Sequence, residues 1–449
     1  MNLLESVFVA LKTINYYLSY PALIIFLGTA IILTLKMRFI QFWAFPRFLR
    51  LIRSGITKQK THTKAKTISS VRALFSAMAT TIGMGNIVGP SIAISLGGPG
   101  ALFWLLVYIF FGSVTKFAEA TFSVYSRTIT KSGDIIGGPT QYLKMISPRL
   151  AAWYGILTLF LFTGWSGLQV NTLASIWAQE GIPHWFTGVL AATILLVVVL
   201  GGVQRIGFVA SRIVPLKFLL YVAFALLILA QNPPAIIEAI KLVFASIITP
   251  AAAAGGFAGA TIFATLREGI YKSIFITESG IGTSSIAHAL ADVEHPTDQG
   301  ILAMYAGIAD MFLCILSGLL TLVTGVWTSG KLNNTLTYEA FKMHAPIMGK
   351  YVLVISILLF VVTALIGNTY NGSQSFAATV KYKFVTWYYF VAAFVAFLGA
   401  LANVPLLWQI MDVILTIVAI PNLIGVLLLA YYYPHILDVT KNTHKKTVY

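Results

Sequence analysis

Apolar residues run along this chain in segments long enough to cross a bilayer, which takes about 20 residues of helix. Such segments lie near residues 20–36, 71–96, 100–125, 151–178, 184–203, 209–231, 255–290, 300–328, 347–371, 384–404 and 408–433, which predicts eleven spans. Residues 3–19 are also apolar but carry Glu5, Lys12 and Asn15, a pattern that suits an interfacial helix better than a span. Two segments are interrupted in their middle: 71–96 by Gly83, Met84, Gly85 and Asn86, and 255–290 by Glu278, Ser279, Gly280, Ile281 and Gly282. Lipid cannot satisfy freed backbone groups, so an unwound stretch persists at membrane depth only where protein or a water-filled cavity covers it. Freed carbonyls and half-helix ends can then hold ions, and two such breaks point to an ion-coupled transporter.

With the first span set aside, ten remain, and the broken ones are the first and the sixth. Five spans per half is odd, so the halves cross in opposite senses, which is what an inverted repeat requires. The predicted organisation is an interfacial helix (1–19), an extra first span (20–36), a basic amphipathic segment (37–70), two five-helix repeats (71–231 and 232–433) and a basic tail (434–449).

Charge fixes the expected orientation. Residues 36–72 hold ten Lys and Arg interleaved with Phe39, Trp43, Phe45, Phe48 and Leu49, as expected for an amphipathic helix on an anionic cytoplasmic leaflet. With eleven spans, Arg127, Lys131, Lys144, Arg149, Arg205, Arg212, Lys217, Lys381, Lys383, Lys441, Lys445 and Lys446 fall on that same side. The other side keeps Lys12, Lys241, Lys331, Lys342 and Lys350. The N-terminus is therefore expected outside and the C-terminus in the cytoplasm of a multi-pass protein of the cell (inner) membrane.

Composition agrees. Of 449 residues 58% are hydrophobic and 10% charged, with a mean hydropathy of +0.85, which places the chain among polytopic membrane proteins. The net charge of +16 lies between apolar segments, so its expected partner is the lipid surface and not nucleic acid. The single cysteine, Cys314, excludes an internal disulfide, and no basic start or small-residue cleavage site marks a removable signal peptide. No GxxxxGK[ST] loop is present, which argues against nucleotide-driven transport, and no nucleophile–base pair suggests an enzyme. His288, Asp292, Glu294 and His295 do not have zinc spacing and suit a water-facing helix end. No cofactor is expected.

Several motifs then occur in order. Thr81 to Ile87, Gly97–Gly98–Pro99–Gly100 and Thr115–Lys116–Phe117–Ala118–Glu119 are followed by Gly137–Gly138–Pro139, Gln169 and Asn171. Further on come Phe275, Glu278, Gly280, Ile286 to Ala289, His295–Pro296, Gln299–Gly300 and Pro421–Asn422. Together, over roughly residues 70–430, they resemble the alanine or glycine:cation symporter family. The resemblance implies an all-α LeuT-type fold with a 5+5 inverted repeat, binding a small neutral amino acid between the broken helices and driven by Na+. Two departures stand out. Where the family shows Arg-Gly-Leu-Phe-Ser-Asn-Glu-Ala-Gly, this chain has Lys272 to Gly280 without the Arg and Asn, and a family Thr and Trp correspond to Ala364 and Asn368.

On that resemblance, the carbonyls of Ala79 and Ile82 and the hydroxyl of Thr363 are expected to hold Na+, because hard cations take oxygen ligands. Thr81, Gly83, Gly85 and Asn86 of the first break, Phe275, Ile276 and Thr277 of the second, with Gln169 and Asn368, are expected to bind the amino acid. The glycines alone would also suit close helix packing, but the adjoining hydroxyls and amide favour a binding site. Gln169 is preferred to Asn171 because residues two apart cannot share a helical face. Glu278 is expected to stabilise or gate the second break, neutralised by Lys272 or Arg267. Glu119 and Lys116 are expected to pair with each other. Asp310 or Glu278 could carry a proton if H+ replaces Na+, and an ion channel is a further alternative.

Overall fold

The computed structural model describes residues 3–57, 66–131, 133–247, 262–329, 335–344, 348–380 and 384–440, and these are almost wholly helical. In chain order the helices are α1 (Leu3–Lys36), α2 (Ile40–Trp43), α3 (Phe45–Thr57), α4 (Ser70–Thr81), α5 (Met84–Gly97), α6 (Gly100–Ser126), α7 (Pro139–Tyr142), α8 (Pro148–Ala178) and α9 (His184–Val199). There follow α10 (Gly202–Leu229), α11 (Pro233–Ala245), α12 (Ile262–Thr277), α13 (Ser285–His288), α14 (Pro296–Val323), α15 (Leu336–His344), α16 (Met348–Thr379), α17 (Val385–Leu401) and α18 (Val404–Tyr432). Ser69, Ser147 and Asn403 cap α4, α8 and α18 by accepting from Arg72 N, Leu150 N and Leu406 N, which gives these helices defined starts.

Among the described residues eight helices, counting α4 and α5 as one, are long and apolar enough to span a membrane, and α9 and α17 are shorter apolar helices. The interrupted α12–α13 region lies within the segment 255–290 that hydropathy predicts as a span. Its expected start at 255–261 lies outside the described residues, as do 58–65 of the basic segment, Lys331, Lys381, Lys383 and the lysines of the tail beyond 440.

The structure differs from the sequence pattern at the N-terminus. The expected interfacial helix and first span are one continuous 34-residue helix, α1, with Pro21 at the expected junction. Asn15 is buried because its amide donates to the side chain and carbonyl of Gln409 on α18, at 2.6 and 2.9 Å. A polar side chain that finds such a partner no longer needs the interface. Lys217, expected in a cytoplasmic connection, lies instead in the interior of α10 and is 0% exposed.

Among the described residues there are four two-residue strands. β1 (Ile68–Ser69) pairs in parallel with β4 (Ala291–Asp292), and β2 (Thr128–Ile129) pairs antiparallel with β3 (Ile135–Ile136). The first pair ties the start of one broken helix to the chain that follows the other. Arg127 reinforces it, donating to the carbonyls of Ala289 and Ala291 at 2.7 and 2.6 Å. Burial holds this guanidinium below its ordinary pKa.

At the opposite end of the bundle, Glu180 after α8 is bonded to Lys350 of α16 and to the Tyr338 hydroxyl of α15. The Lys350 bond, then the Tyr338 bond, hold its carboxyl below the usual carboxylate range. A depressed carboxyl stabilises the folded state above its unfolded pKa, and that contribution disappears as pH falls through the folded value. Glu180→Gln is therefore expected to lower the melting temperature at pH 7, with the gap to wild type closing as the pH is taken into the carboxylate range. A gap independent of pH would show that the pair contributes nothing electrostatic.

Candidate functional site

The first break is sharp. α4 ends at Thr81, Ile82 leaves the helical region at ψ 74°, Gly83 is extended, and α5 begins at Met84. Its freed groups find partners in the surrounding helices. The Gly83 N–H donates to Asn86 Oδ1 at 3.0 Å and the Met84 N–H to Gln169 Oε1 of α8 at 3.2 Å. The Ile82 carbonyl accepts from the Lys217 ammonium, which also donates to Thr363 Oγ1 of α16. Further along α5, the Asn86 and Ile87 carbonyls accept from Ser317 and Thr337 hydroxyls at 2.8 and 3.1 Å.

The second break runs from Glu278 to Ser284. Glu278 adopts φ +57°, a left-handed conformation that costs a non-glycine residue strain, and Gly280 and Gly282 follow at +89° and +82°. Three of the freed carbonyls have side-chain donors: Tyr108 OH reaches Ser279 O at 3.1 Å, Asn422 Nδ2 reaches Gly280 O at 3.0 Å, and Tyr154 OH reaches Ile281 O at 2.7 Å. Thr277 Oγ1 caps α12, accepting from Ser279 N at 3.2 Å. The helix resumed beyond the break, α13, is a single turn.

The breaks face each other because α5 packs along α12. A Cβ built on Gly85 would lie 3.0 Å from the Phe275 ring, and one on Gly83 would lie 3.1 Å from Gln169 Nε2 and 3.6 Å from Ala364 Cβ. Glycine is required here for close approach. Ile276 fills the space beside Gly89. Between the helices is a cavity of about 10 Å³ lined by Met84, Gly85, Val88, Leu168, Gln169, Thr172, Phe275 and Trp408. That is room for about one water, so an amino acid enters only if the lining moves. The Phe275 ring is the obvious cover, held 5.7 Å from Trp165 and 4.9 Å from Trp408.

The structure thus brings together Gly83, Gly85, Gln169, Phe275, Ile276 and Ala364. Asn171 faces elsewhere, donating to Gly399 O and Ala402 O of the α17 end. The Asn86 side chain is taken up by Gly83 N and by Asp310 Oδ1, 3.0 Å from its Nδ2. Thr81 Oγ1 and Asn368 Oδ1 are buried with no hydrogen-bond partner among the described residues. Ala79 is buried within α4.

Three expected charge pairings are corrected. Lys272 pairs with Asp412 at 3.6 Å and lies 4.4 Å over the Trp408 ring, and Arg267 pairs with Glu268, so neither neutralises Glu278. Glu278 Oε2 accepts from Thr283 Oγ1 at 2.5 Å instead. Lys116 pairs with Asp310 at 3.6 Å, while Glu119 accepts from Asn422 Nδ2 at 2.7 Å. Lys116 and Glu119 share a helical face, but each reaches a neighbouring helix. His288, expected to face water, is 0% exposed and bonded to Gln299 at 2.6 Å. Reading the sequence missed Tyr108, Tyr154, Trp408 and above all Lys217. The signal for Lys217 was a lone lysine inside a predicted span.

Two discontinuous helices facing one another across a glycine-lined, aromatic-covered cavity, inside an all-α polytopic bundle, define a secondary transporter of the LeuT fold. Comparison with known proteins agrees: the family model described as the sodium:alanine symporter family matches residues 1–447, and this protein belongs to that family. The sodium/alanine symporter AgcS of Methanococcus maripaludis is 34% identical over 93% of this chain and 94% of its own length. Among solved structures, MhsT in complex with L-phenylalanine aligns with a TM-score of 0.59 at 14% identity, covering 81% of this chain and 89% of that one. A substrate-bound, outward-open Na+-coupled sialic acid symporter aligns with a TM-score of 0.55 at 13% identity, covering 86% and 82%. At such identities these two structures speak to the fold alone.

The partners of the second break are testable. Tyr154→Phe strips the Ile281 carbonyl of its donor and is expected to cost about 1 kcal/mol of stability. Tyr431→Phe, at a ring 74% exposed, should cost nothing. Unfolding of the detergent-solubilised variants measures both, and equal stability of the two would show that the break does not depend on this bond.

Proposed function

We propose that this protein imports a small neutral amino acid by cation-coupled symport, the amino acid lying between Gly83–Gly85 of the first break and Phe275–Thr277 of the second. The observation that carries this reading is the start of α5. Its Met84 N–H points at Gln169 Oε1 across the cavity wall, and a helix N-terminus with exposed backbone is a natural receiver for a substrate carboxylate. Binding then exchanges the glutamine oxygen for a carboxylate oxygen. Phe275 moves aside and closes again over the bound molecule, while the broken helices rock against the remaining spans.

Family membership supports alanine as the substrate class and Na+ as the coupled ion. One positive charge moving inward across ~100 mV contributes ~2.3 kcal/mol, more than a tenfold substrate gradient demands. The excess of Lys and Arg on one set of connections supports a cytoplasmic C-terminus and an external N-terminus in the cell membrane.

In proteoliposomes with Na+ and pH gradients imposed separately, labelled alanine is expected to accumulate above its external concentration, and the gradient that drives it names the ion. Equilibration without accumulation under both gradients would indicate a channel. Substrate size is expected to be set at Ala364 and Asn368, where the side chains are small and the Asn368 amide oxygen has no hydrogen-bond partner among the described residues. Unlabelled serine is therefore expected to compete with alanine, and Asn368→Trp to weaken that competition by about tenfold, in line with the ~1–3 kcal/mol that pocket contacts contribute. Unchanged selectivity in the variant would show that Asn368 does not shape the pocket.

A further inference from the structure

Lys217 lies midway along α10, two residues after Pro215, with its whole side chain buried. Its ammonium joins three elements. One N–H donates to the Ile82 carbonyl at the first break and another to Thr363 Oγ1 on α16. The nitrogen also lies 4.8 Å above the Phe360 ring of α16, close enough for a cation–π contact. Thr363 still donates its own hydroxyl hydrogen to its helix, to Leu359 O at 3.0 Å, so its oxygen faces Lys217 as an acceptor. From α14 the acidic neighbour acting through space is Asp310, itself shared with Lys116 and Asn86. Tyr221, one turn further along α10, is engaged with Ser317 at 2.7 Å.

The two oxygens that receive this ammonium are two of the three groups expected to hold Na+. A bound cation needs lone pairs aimed at an uncharged space; here the lone pairs are aimed at a positive charge already in place, and a second cation between the same oxygens would be repelled at contact distance. We infer that Lys217 is a tethered cation that fills this position, joining the broken helix to α16 in this conformation, so that Na+ does not bind between Ile82 and Thr363. The cation of the transport cycle must then act elsewhere in the protein. The inference rests on the proposed symport for its meaning, but its test needs no amino acid.

The test is the melting temperature of the detergent-solubilised full chain, titrated with NaCl against choline chloride at matched ionic strength, because an ion that binds only the folded state raises it in a saturable way. Wild type is expected to show no saturable Na+ shift that depends on Thr363: either no shift, or one that Thr363→Val leaves intact. Lys217→Ala is expected to gain a saturable Na+ shift, lost again when Thr363→Val is added. A wild-type Na+ shift abolished by Thr363→Val would overturn the inference, and so would a folded Lys217→Ala whose response to Na+ matches wild type. If Lys217→Ala does not fold, the comparison of wild type with Thr363→Val still decides. Failure of alanine to accumulate in proteoliposomes would refute the symport reading and leave this result untouched.

Discussion

A helix unwound inside a membrane must find a partner for every backbone group it releases, because lipid offers none. The whole arrangement around the two breaks follows from that constraint. Ser279, Gly280 and Ile281 each give up a helical bond, and three residues from three other elements, Tyr108, Asn422 and Tyr154, arrive to replace it. The first break is supplied by Lys217, Gln169 and its own Asn86. Because most of these donors come from helices outside the breaks, the unwound segments are anchored on the surrounding bundle, while Gly85, just beyond the first break, lines the cavity.

Buried charge obeys the same logic. A carboxylate or ammonium at membrane depth is tolerated when it is paired and bonded, and Asp310 shows how densely this is done: Lys116 at 3.6 Å, Asn86 at 3.0 Å and Lys217 through space share one carboxyl. These contacts bind α5, α6, α10 and α14 into one electrostatic unit that abuts the first break. Among the described residues no charged side chain lines the cavity, as suits a neutral amino acid carrying its own two charges, and its walls are mainly aromatic and aliphatic, with Gln169 and Thr172 as polar members.

Architecture was legible in the sequence because hydropathy and turn chemistry act locally. Eleven apolar runs, two of them with glycine-rich interruptions, are sufficient to predict the span count, the position of both breaks and the odd number of helices per half. The motif order gave the family, and Gly83, Gly85, Gln169 and Phe275 do converge. Partners were a different matter. Lys116 and Glu119 are three residues apart and read as a pair, yet the helix they share sends one to α14 and the other to α18. Lys217 reads from sequence as a cytoplasmic cation grouped with Arg205 and Arg212, whereas burial at 0% exposure places it inside the bundle beside the first break.

The sequence by itself determined where helix must form, where it must fail and what kind of side chain stands at each failure, since these depend on residues within a few positions of one another. The tertiary structure alone decided which lone pair meets which donor. That choice depends on how far neighbouring helices rotate and approach, to within the few tenths of an ångström separating a hydrogen bond from none. It set Lys217 on the oxygens of Ile82 and Thr363, 135 and 146 residues away in the chain.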